Sequence, residues 1–208
     1  MQIVVFGASG KVGRQVVGAA LERGHSVVAF VHSNSPFEPQ PRLAILQGDV
    51  HDAEAVSKAV AGSDVVISTL GSWHTPTKDI VSSAIRNIIP VMESLGIDRI
   101  ITLTGAGAYA PEDRPSLLYR LGHAAFGIFA KKIIFDGEEH IRLLAASKLR
   151  WTTLRSPVMS NGHLSAYSLS MRGPAFWVTI PRKAVVKAIL DQIEGPAYEC
   201  QAPFIRPV

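Results

Sequence analysis

Cysteine is nearly absent from this sequence of 208 residues, which contains only Cys200. A single cysteine excludes an internal disulfide and is typical of a reducing compartment, so we expect a cytoplasmic protein. Cys200 belongs to no nucleophile motif, and we interpret it as a packing or surface residue. The seven histidines show neither an H-x-x-x-H spacing nor a Cys/His cluster, so we expect no metal site.

Long apolar runs and runs of one charge are also missing. The apolar segment 128–135 is interrupted by Lys131 and Lys132, and no uninterrupted stretch reaches membrane-spanning length. We see no basic leader or cleavage site, so we expect no signal peptide. The net charge of +4 comes from scattered lysines and arginines, which is compatible with an anionic ligand or a mildly basic surface. We expect neither a membrane nor a nucleic-acid partner.

The composition favours a single α/β domain over residues 1–208. The length is sufficient for one substantial core and too short for two domains of ordinary size. A hydrophobic fraction of 47% with only 18% charged residues fits a sheet that is covered on both faces. Strand-like and helix-like patterns alternate along the chain, which predicts a doubly wound parallel sheet of the Rossmann type.

The expected elements can be given by number. We predict strands over 3–6, 26–31, 43–47, 64–68, 99–104 and 151–155, with short strands near 176–180 and 202–205. We predict helices from Val12 onwards and over 53–61, 77–95, 133–147 and 181–193. Asp52 and Gly96 are expected to cap two of them, and Pro181 to begin the last. Segments 105–130 and 156–174 are interpreted as substrate-side loops.

The most informative pattern is Gly7-x-x-Gly10-x-x-Gly13, which lies between the first strand and the first helix. In this context glycines permit a tight turn, a close approach of a pyrophosphate to the backbone, and close packing of helix on strand. The helix N-terminus then offers free N–H groups to the anion. The alternative is a glycine-rich turn without a ligand. Our pyrophosphate-site residues are Gly7, Ser9, Gly10, Lys11, Val12 and Gly13.

Residues that follow the second and third strands are candidates for the adenosine half of a dinucleotide, because ligands bind outside the carboxyl ends of parallel strands. His32 and Ser33 stand where an NAD site places a carboxylate. With Lys11 and Arg14 they can receive a 2′-phosphate, so we expect NADP(H) over NAD(H), the alternative being an unselective polar loop. Asp49 and the adjacent Val50 can meet the adenine, or Asp49 can belong to a solvent-facing turn.

The next three strands predict the nicotinamide half of the site. Thr69, Leu70 and Gly71 allow the backbone to approach the ribose and pyrophosphate. Thr104 and Gly105 are expected near the nicotinamide. Pro157 and Val158 are expected to border both the nicotinamide and the substrate.

Four blocks of this sequence resemble the atypical branch of the short-chain dehydrogenase/reductase superfamily. That branch includes NmrA-like proteins and enzymes similar to flavin reductase and biliverdin-IXβ reductase. The blocks are 7–13 (GASGKVG), 47–50 (QGDV), 68–71 (STLG) and 149–157 (LRWTTLRSP). The resemblance spans nearly the whole chain. It implies that the blocks bind, in order, the pyrophosphate, the adenine, the ribose side and the nicotinamide.

Two departures from the family pattern bear on selectivity and catalysis. Relatives that prefer NADPH often carry arginine where this chain has His32. The catalytic Tyr-x-x-x-Lys pair is missing, because residues 126–132 read FGIFAKK. Lys131 or Lys132 can still hold the nicotinamide ribose, or can lie in solvent. Tyr109 and Tyr119, the latter in a Tyr119-x-x-x-His123 spacing, are alternative proton donors. Our catalytic candidates are Thr104, Tyr109 and Lys132.

The missing tyrosine favours an acceptor that can take its proton from solvent, such as a flavin, a quinone or a conjugated pigment. An apolar lid over such an acceptor can be formed by Tyr109, Leu117, Leu118, Tyr119 and Phe126, and Trp73 and His74 can line the same pocket.

Two functions stay open. One is an NAD(P)H-dependent reductase, and the other is an NmrA-like NADP(H)-binding redox sensor without turnover. The lack of a partner-binding extension favours the enzyme, as a monomer or small homo-oligomer. An epimerase or dehydratase with bound NAD would need the tyrosine–lysine pair and a sugar-nucleotide domain, and both are lacking.

Overall fold

The computed structural model describes residues 1–113, 117–163, 166–174, 177–195 and 197–208. At position 74 and at 117–122, 124–126 and 128–129 it describes the backbone alone. Among the helices in these ranges, none has the length and apolar character that crossing a membrane requires.

The described residues form ten strands and five α-helices. In chain order, the strands are β1 (Gln2–Phe6), β2 (Ser26–Val31), β3 (Leu43–Gln47), β4 (Val65–Ser68), β5 (Arg99–Gly105), β6 (Arg150–Ser156), β7 (Val158–Ser160), β8 (Tyr167–Ser170), β9 (Thr179–Pro181) and β10 (Phe204–Pro207). The helices are α1 (Gly13–Glu22), α2 (Ala53–Val60), α3 (Ile80–Leu95), α4 (Leu117–Ala145) and α5 (Arg182–Glu194), with a short 3₁₀-helix at Ser72–His74.

The main sheet has the order β3-β2-β1-β4-β5-β6-β10-β8. Its strands pair in parallel from β3 to β10, and β8 pairs with β10 in the antiparallel direction at one edge. The chain winds outward from β1 to β3 and then returns to the other side of β1 with β4. Between β1 and β4 the direction of winding reverses, and ligands of such sheets bind at this point. The predicted doubly wound fold is confirmed.

Helices cover both faces of the sheet and divide the core into two parts. On one face, α1 and α5 pack against alternate residues of the central strands, among them Ile3, Val5 and Ile67. On the other face, α2, α3 and α4 pack against Val4 and Val66. Because strands in the middle of such a sheet bury both faces, nearly every residue of β1 and β4 is apolar.

The predicted bounds of the first six strands agree with the structure to within one residue at each end. Both predicted caps are also present. The Asp52 carboxylate accepts hydrogen bonds from the first-turn N–H groups of α2, at 2.9 Å for Glu54 and 3.4 Å for Ala55. Gly96 ends α3 with φ +69°, a left-handed conformation that favours glycine.

The segment 105–130 differs most from its prediction as a loop, because helix α4 already begins at Leu117. It continues to Ala145 with non-helical backbone angles at Ala130, where two helices meet at a kink. The glycines and prolines that signal a loop lie mainly before residue 117. The glycines beyond it are tolerated inside the helix, at Gly137 because the helix packs closely on Thr104.

Smaller differences occur in the last third of the chain. Within 156–174, which we predicted as loop, β7 pairs with β9 and β8 pairs with β10. Both pairings join segments that are distant in sequence, so no local pattern reveals them. Pro181 is the N-cap of α5 and not its first residue, and α3 begins at Ile80 and not at residue 77.

Candidate functional site

The turn between β1 and α1 requires glycine at two of its three motif positions. Gly7 has φ +73°, a left-handed conformation that strains any residue with a side chain. A Cβ atom at Gly13 would lie 2.2 Å from the Gly7 carbonyl oxygen, so only glycine lets α1 begin this close to β1. The Gly10 N–H donates to the Gly7 oxygen at 3.0 Å and closes the turn. The resulting cradle of backbone atoms fits a pyrophosphate.

The N-terminus of α1 offers its backbone N–H groups to an anion. Within the described residues, no side chain caps this end, whose N-cap residue is Val12, and the first turn carries no acidic residue. The positive end of the helix dipole is therefore not offset by a carboxylate. Lys11 and Arg14 lie exposed beside it, and the Arg14 Nε donates to the Ser9 carbonyl at 2.7 Å.

Exposed polar groups cluster where β2 and β3 end. His32 and Ser33 are exposed just after β2. The Asp49 carboxylate accepts hydrogen bonds from the His51 backbone N–H at 2.9 Å and from its ring Nδ1 at 2.7 Å. These bonds lower the pKa of Asp49, with smaller contributions from the charges of His51 and His32. Val50 is buried, and its carbonyl accepts a hydrogen bond from Asn87 on α3 at 2.9 Å.

Thr69 connects the end of β4 to the glycine turn. Its Oγ1 lies 3.1 Å from the Phe6 carbonyl and 3.2 Å from the Gly7 carbonyl, and its backbone N–H donates to Phe6 at 3.0 Å. These bonds hold the turn in place, which makes Thr69 a support of the predicted site. Leu70 and Gly71 follow it along the wall of the adjoining cavity.

A cavity of about 670 Å³ opens at the carboxyl ends of β4, β5 and β6, next to the glycine turn. This volume lies in the usual range for small-molecule sites. Its walls are mainly apolar, with a few polar groups from the loops and helices around it. The lining residues are Val12, Thr69, Leu70, Gly71, Ser72, Trp73, Val81, Leu103, Thr104, Gly105, Ala106, Gly107, Ala108, His123, Ile133, Ile134, Asp136, Gly137, Ser156, Pro157, Val158, Met159, Pro174 and Arg182.

Asp136 is a buried carboxylate at the edge of this cavity, with 2% of its surface exposed. It accepts a short hydrogen bond from the Ser72 hydroxyl and bonds from the backbone N–H groups of Ser82, at 2.8 Å, and Val81, at 3.2 Å. These two N–H groups belong to the first turn of α3. The carboxylate therefore caps α3 from another helix, and the helix dipole and three donors offset its charge.

A buried ion pair holds the loop that follows β5. The Arg155 side chain is fully buried, and its guanidinium donates two hydrogen bonds to Asp113, one of them 2.8 Å from Nη2 to Oδ1. Further hydrogen bonds run to the carbonyls of Ala202, at 2.7 Å, and Ala108, at 3.1 Å, and the ring of Phe204 lies 3.6 Å below the guanidinium carbon. Arg155 thereby holds the cavity wall at Ala108 in place, although it does not itself line the cavity.

A further buried polar cluster joins α4 to β5 and β6. The His140 Nε2 lies 2.8 Å from the Thr102 hydroxyl oxygen, which in turn is 2.8 Å from that of Thr153. Burial lowers the pKa of His140 to about 4, although the charge of Asp136, one turn earlier on α4, acts in the opposite direction. The imidazole is therefore neutral at physiological pH.

The cavity brings together many of the predicted nicotinamide-side residues. Leu70, Gly71, Thr104, Gly105, Pro157 and Val158 all line it, together with Val12 and Thr69. Among the catalytic candidates, only Thr104 lies on its wall. Lys131 and Lys132 are exposed and line a neighbouring cavity of about 830 Å³ on the outer side of α4.

Tyr109 packs on an imidazole next to the cavity. Its ring centroid lies 4.1 Å from that of His123, and its backbone N–H donates to Glu138 at 3.3 Å. Trp73 lines the cavity and is exposed. The side chains of His74, Leu117, Leu118, Tyr119 and Phe126, which we named for a lid or pocket, lie outside the described residues.

None of four polar residues on the cavity wall was among the predicted site residues, although His123 was named for its spacing from Tyr119; the four are Ser72, His123, Asp136 and Arg182. Asp136 and His123 lie on α4, part of which we interpreted as a loop, and Arg182 lies at the start of α5. A possible signal was the position of Ser72 directly after the family block that ends at Gly71. The other three reach the site only through the packing of the helices.

Comparisons with known proteins agree with this geometry. The model of the NAD(P)H-binding family matches residues 7–196. The chain is 27% identical over 182 residues to a 2-alkyl-3-oxoalkanoate reductase of Stenotrophomonas maltophilia, a match that covers 85% of this chain and 51% of that protein. It is 34% identical over 95 residues to the isoflavone reductase homolog IRL of Zea mays, covering 41% of this chain and 31% of that protein. The chain spans about half the length, or less, of these curated relatives.

Solved structures share the fold at low identity. A short-chain dehydrogenase/reductase from Veillonella parvula in complex with NADP has a TM-score of 0.79 at 18% identity, covering 99% of this chain and 94% of that one. An anaerobillin reductase from Escherichia coli O157:H7 has a TM-score of 0.77 at 22% identity, covering 99% and 97%. Because the family match extends over most of the chain, including the glycine turn and the cavity, this protein belongs to the NAD(P)H-binding family.

Proposed function

We propose that this protein is an NAD(P)H-dependent reductase that transfers hydride to a flavin-like, quinone-like or other conjugated small molecule. The observation that carries this proposal is the apolar cavity of about 670 Å³ that adjoins the glycine turn. Val12 and Thr69, beside the turn, line the same cavity as Pro157 and Met159 after β6. A dinucleotide on the glycine turn therefore has space for its nicotinamide and a planar acceptor within one enclosure.

The chain contributes binding, orientation and exclusion of water. A bound nicotinamide supplies the hydride itself. The glycine turn and the N-terminus of α1 hold the pyrophosphate, and the backbone at Leu70 and Gly71 allows the ribose to approach. Pro157 and Leu103 offer apolar surface to the ring, so the reacting groups meet in a site with few competing water molecules.

The proposed acceptor class is based on which side chains of the cavity wall can donate a proton. No tyrosine or lysine is among its lining residues within the described part of the chain. A ketone substrate needs a donor beside the developing alkoxide, whereas a flavin or quinone can take its proton from solvent. The absence of tyrosine and lysine from these described lining residues supports the proposal of a conjugated acceptor. The relatives named as reductases support reduction as the general reaction.

We also propose that the reductase prefers NADP(H). His32 and Ser33 lie exposed at the end of β2, on the same side of the sheet as Lys11 and Arg14 beside α1. The nearby carboxylate, that of Asp49, is already hydrogen-bonded to His51. Cationic and neutral donors are thus available at this edge of the sheet for a 2′-phosphate, and the Asp49 carboxylate is hydrogen-bonded to His51, which supports the proposal.

The test is a turnover assay with purified protein. NADPH or NADH is mixed with FMN, riboflavin or a small quinone, and the absorbance of the nicotinamide band is followed. We expect oxidation that depends on the acceptor and is faster with NADPH than with NADH. Tight nucleotide binding without oxidation by any acceptor would contradict the reductase and favour the redox sensor.

A further inference from the structure

We propose that the acceptor of this reductase is an anion whose phosphate or carboxylate group binds Arg182. The inference rests on the proposed function, which it narrows to a subset of acceptors. Among the described lining residues only Asp136 and Arg182 carry a formal charge, and His123 is titratable.

The two charged side chains differ in how many of their hydrogen-bonding groups have partners within the protein. Asp136 accepts hydrogen bonds from the Ser72 hydroxyl and from the backbone of Val81 and Ser82 at the start of α3. Its oxygens are therefore occupied by protein donors, and the positive end of the α3 dipole partly offsets its charge. Repulsion of an anionic ligand by Asp136 is correspondingly weak.

Arg182 keeps donors that no described residue uses. Its Nη1 donates to the Asn161 side-chain oxygen at 2.5 Å, but its Nε is buried without a hydrogen-bond partner. Within the described residues, no carboxylate forms an ion pair with Arg182, in contrast to Arg155, which binds Asp113 through two hydrogen bonds. The Nε has no surface open to solvent, so a ligand oxygen in the cavity would bind the outer N–H groups of the guanidinium, of which only Nη1 has a described partner.

The surroundings of Arg182 are also electropositive. Arg182 is the first residue of α5, whose N-cap residue is Pro181, and neither a side-chain cap nor an acidic first-turn residue offsets the helix dipole among the described residues. The residue that begins α5 thus lines the cavity, and the positive end of the helix dipole adds to the charge of its guanidinium. A planar guanidinium binds carboxylate and phosphate groups through two parallel hydrogen bonds, which suits an anionic tail on a conjugated ring.

FMN and riboflavin test this inference, because they share one ring system and differ only by a phosphate. We would measure kcat/KM for both with saturating NADPH, and the dissociation constants of both from the protein loaded with NADP⁺. Wild-type protein should favour FMN. In Arg182→Gln the FMN/riboflavin ratio should fall by about tenfold to a hundredfold, the range for a hydrogen bond to a charged group. Arg182→Lys should retain part of the preference.

Lys183→Gln is the matched control, because it removes the same charge from the next, exposed residue, which does not line the cavity. It should leave the ratio unchanged. An FMN/riboflavin ratio that Arg182→Gln does not alter would overturn the inference while leaving the reductase intact. Arg182-dependent FMN binding without turnover of any acceptor would overturn the reductase alone. Failure of both flavins to bind would overturn the inference, and turnover of the quinone would then decide the reductase separately. Weaker binding of NADPH itself to Arg182→Gln would assign the guanidinium to the cofactor.

Discussion

Protonation of His140 should destabilise the fold at mildly acidic pH. Burial lowers the pKa of this imidazole from 6.5 to about 4. Between these two pH values His140 is therefore mostly protonated in the unfolded chain and mostly neutral in the folded chain. Stability is therefore fully present above pH 6.5 and is lost as the pH falls towards 4. Between about pH 7.5 and pH 5 the loss from this one group is about 2 kcal/mol, since each pKa unit corresponds to about 1.4 kcal/mol.

The assay is urea unfolding at a series of pH values in this window, for wild type and for His140→Gln. Glutamine cannot be protonated and can keep a hydrogen bond to the Thr102 hydroxyl, which lies 2.8 Å from the imidazole Nε2. Other groups titrate equally in both proteins, so the difference between the two pH dependences of the unfolding free energy is due to His140. As the pH falls over this range, we expect the unfolding free energy of the wild type to decrease by about 2 kcal/mol more than that of the variant. Equal slopes in the two proteins would refute the reasoning.

Three further substitutions probe the glycine turn, the 2′-phosphate site and the cavity wall. Gly13→Ala places a Cβ atom 2.2 Å from the Gly7 oxygen, so it should lower the unfolding free energy by about 1–3 kcal/mol in urea and weaken NADPH binding in titration. Gly18→Ala on the same helix is the control, because its Cβ atom meets no atom within 4 Å and should change neither quantity. His32→Arg should tighten NADPH relative to NADH in parallel titrations, and an unchanged preference would remove residue 32 from the 2′-phosphate site. Asp113→Asn leaves the buried Arg155 without its counter-charge and should cost about 3 kcal/mol in urea unfolding, and a loss well below 1 kcal/mol would contradict the role of this ion pair.

Local signals predicted the framework of the fold well. The β-branched strands, the Asp52 cap and the Gly96 cap are all encoded within a few neighbouring residues, and all appear in the structure. Helix α4 was missed in its first half because breakers such as Pro111 dominate the segment just before it. The pairings of β7 with β9 and of β8 with β10 depend on contacts between distant segments, which no local pattern carries.

In the candidate site, too, features encoded by neighbouring residues could be predicted, and features that depend on contacts between distant segments could not. The glycine turn could be recognised because its function depends on three glycines within one short stretch. The charged residues of the cavity wall could not, because Asp136 reaches Ser72 across 64 positions and Arg182 reaches the wall from the start of the last helix. Their roles depend on how helices α4 and α5 pack on the sheet, and a single sequence does not specify that packing.

Calorimetric titration of Gly10→Asp with NADPH tests whether the glycine turn binds a nicotinamide dinucleotide. Gly10 is exposed, and a Cβ atom there would lie 3.2 Å from the Gly7 oxygen, a contact that a small adjustment relieves, so the variant should fold. Gly10→Ala is the matched control, because it adds the same Cβ atom without the charge. We predict one-site binding in wild type, weaker binding in the alanine variant and none in the folded aspartate variant. Undiminished NADPH binding by Gly10→Asp would contradict the account.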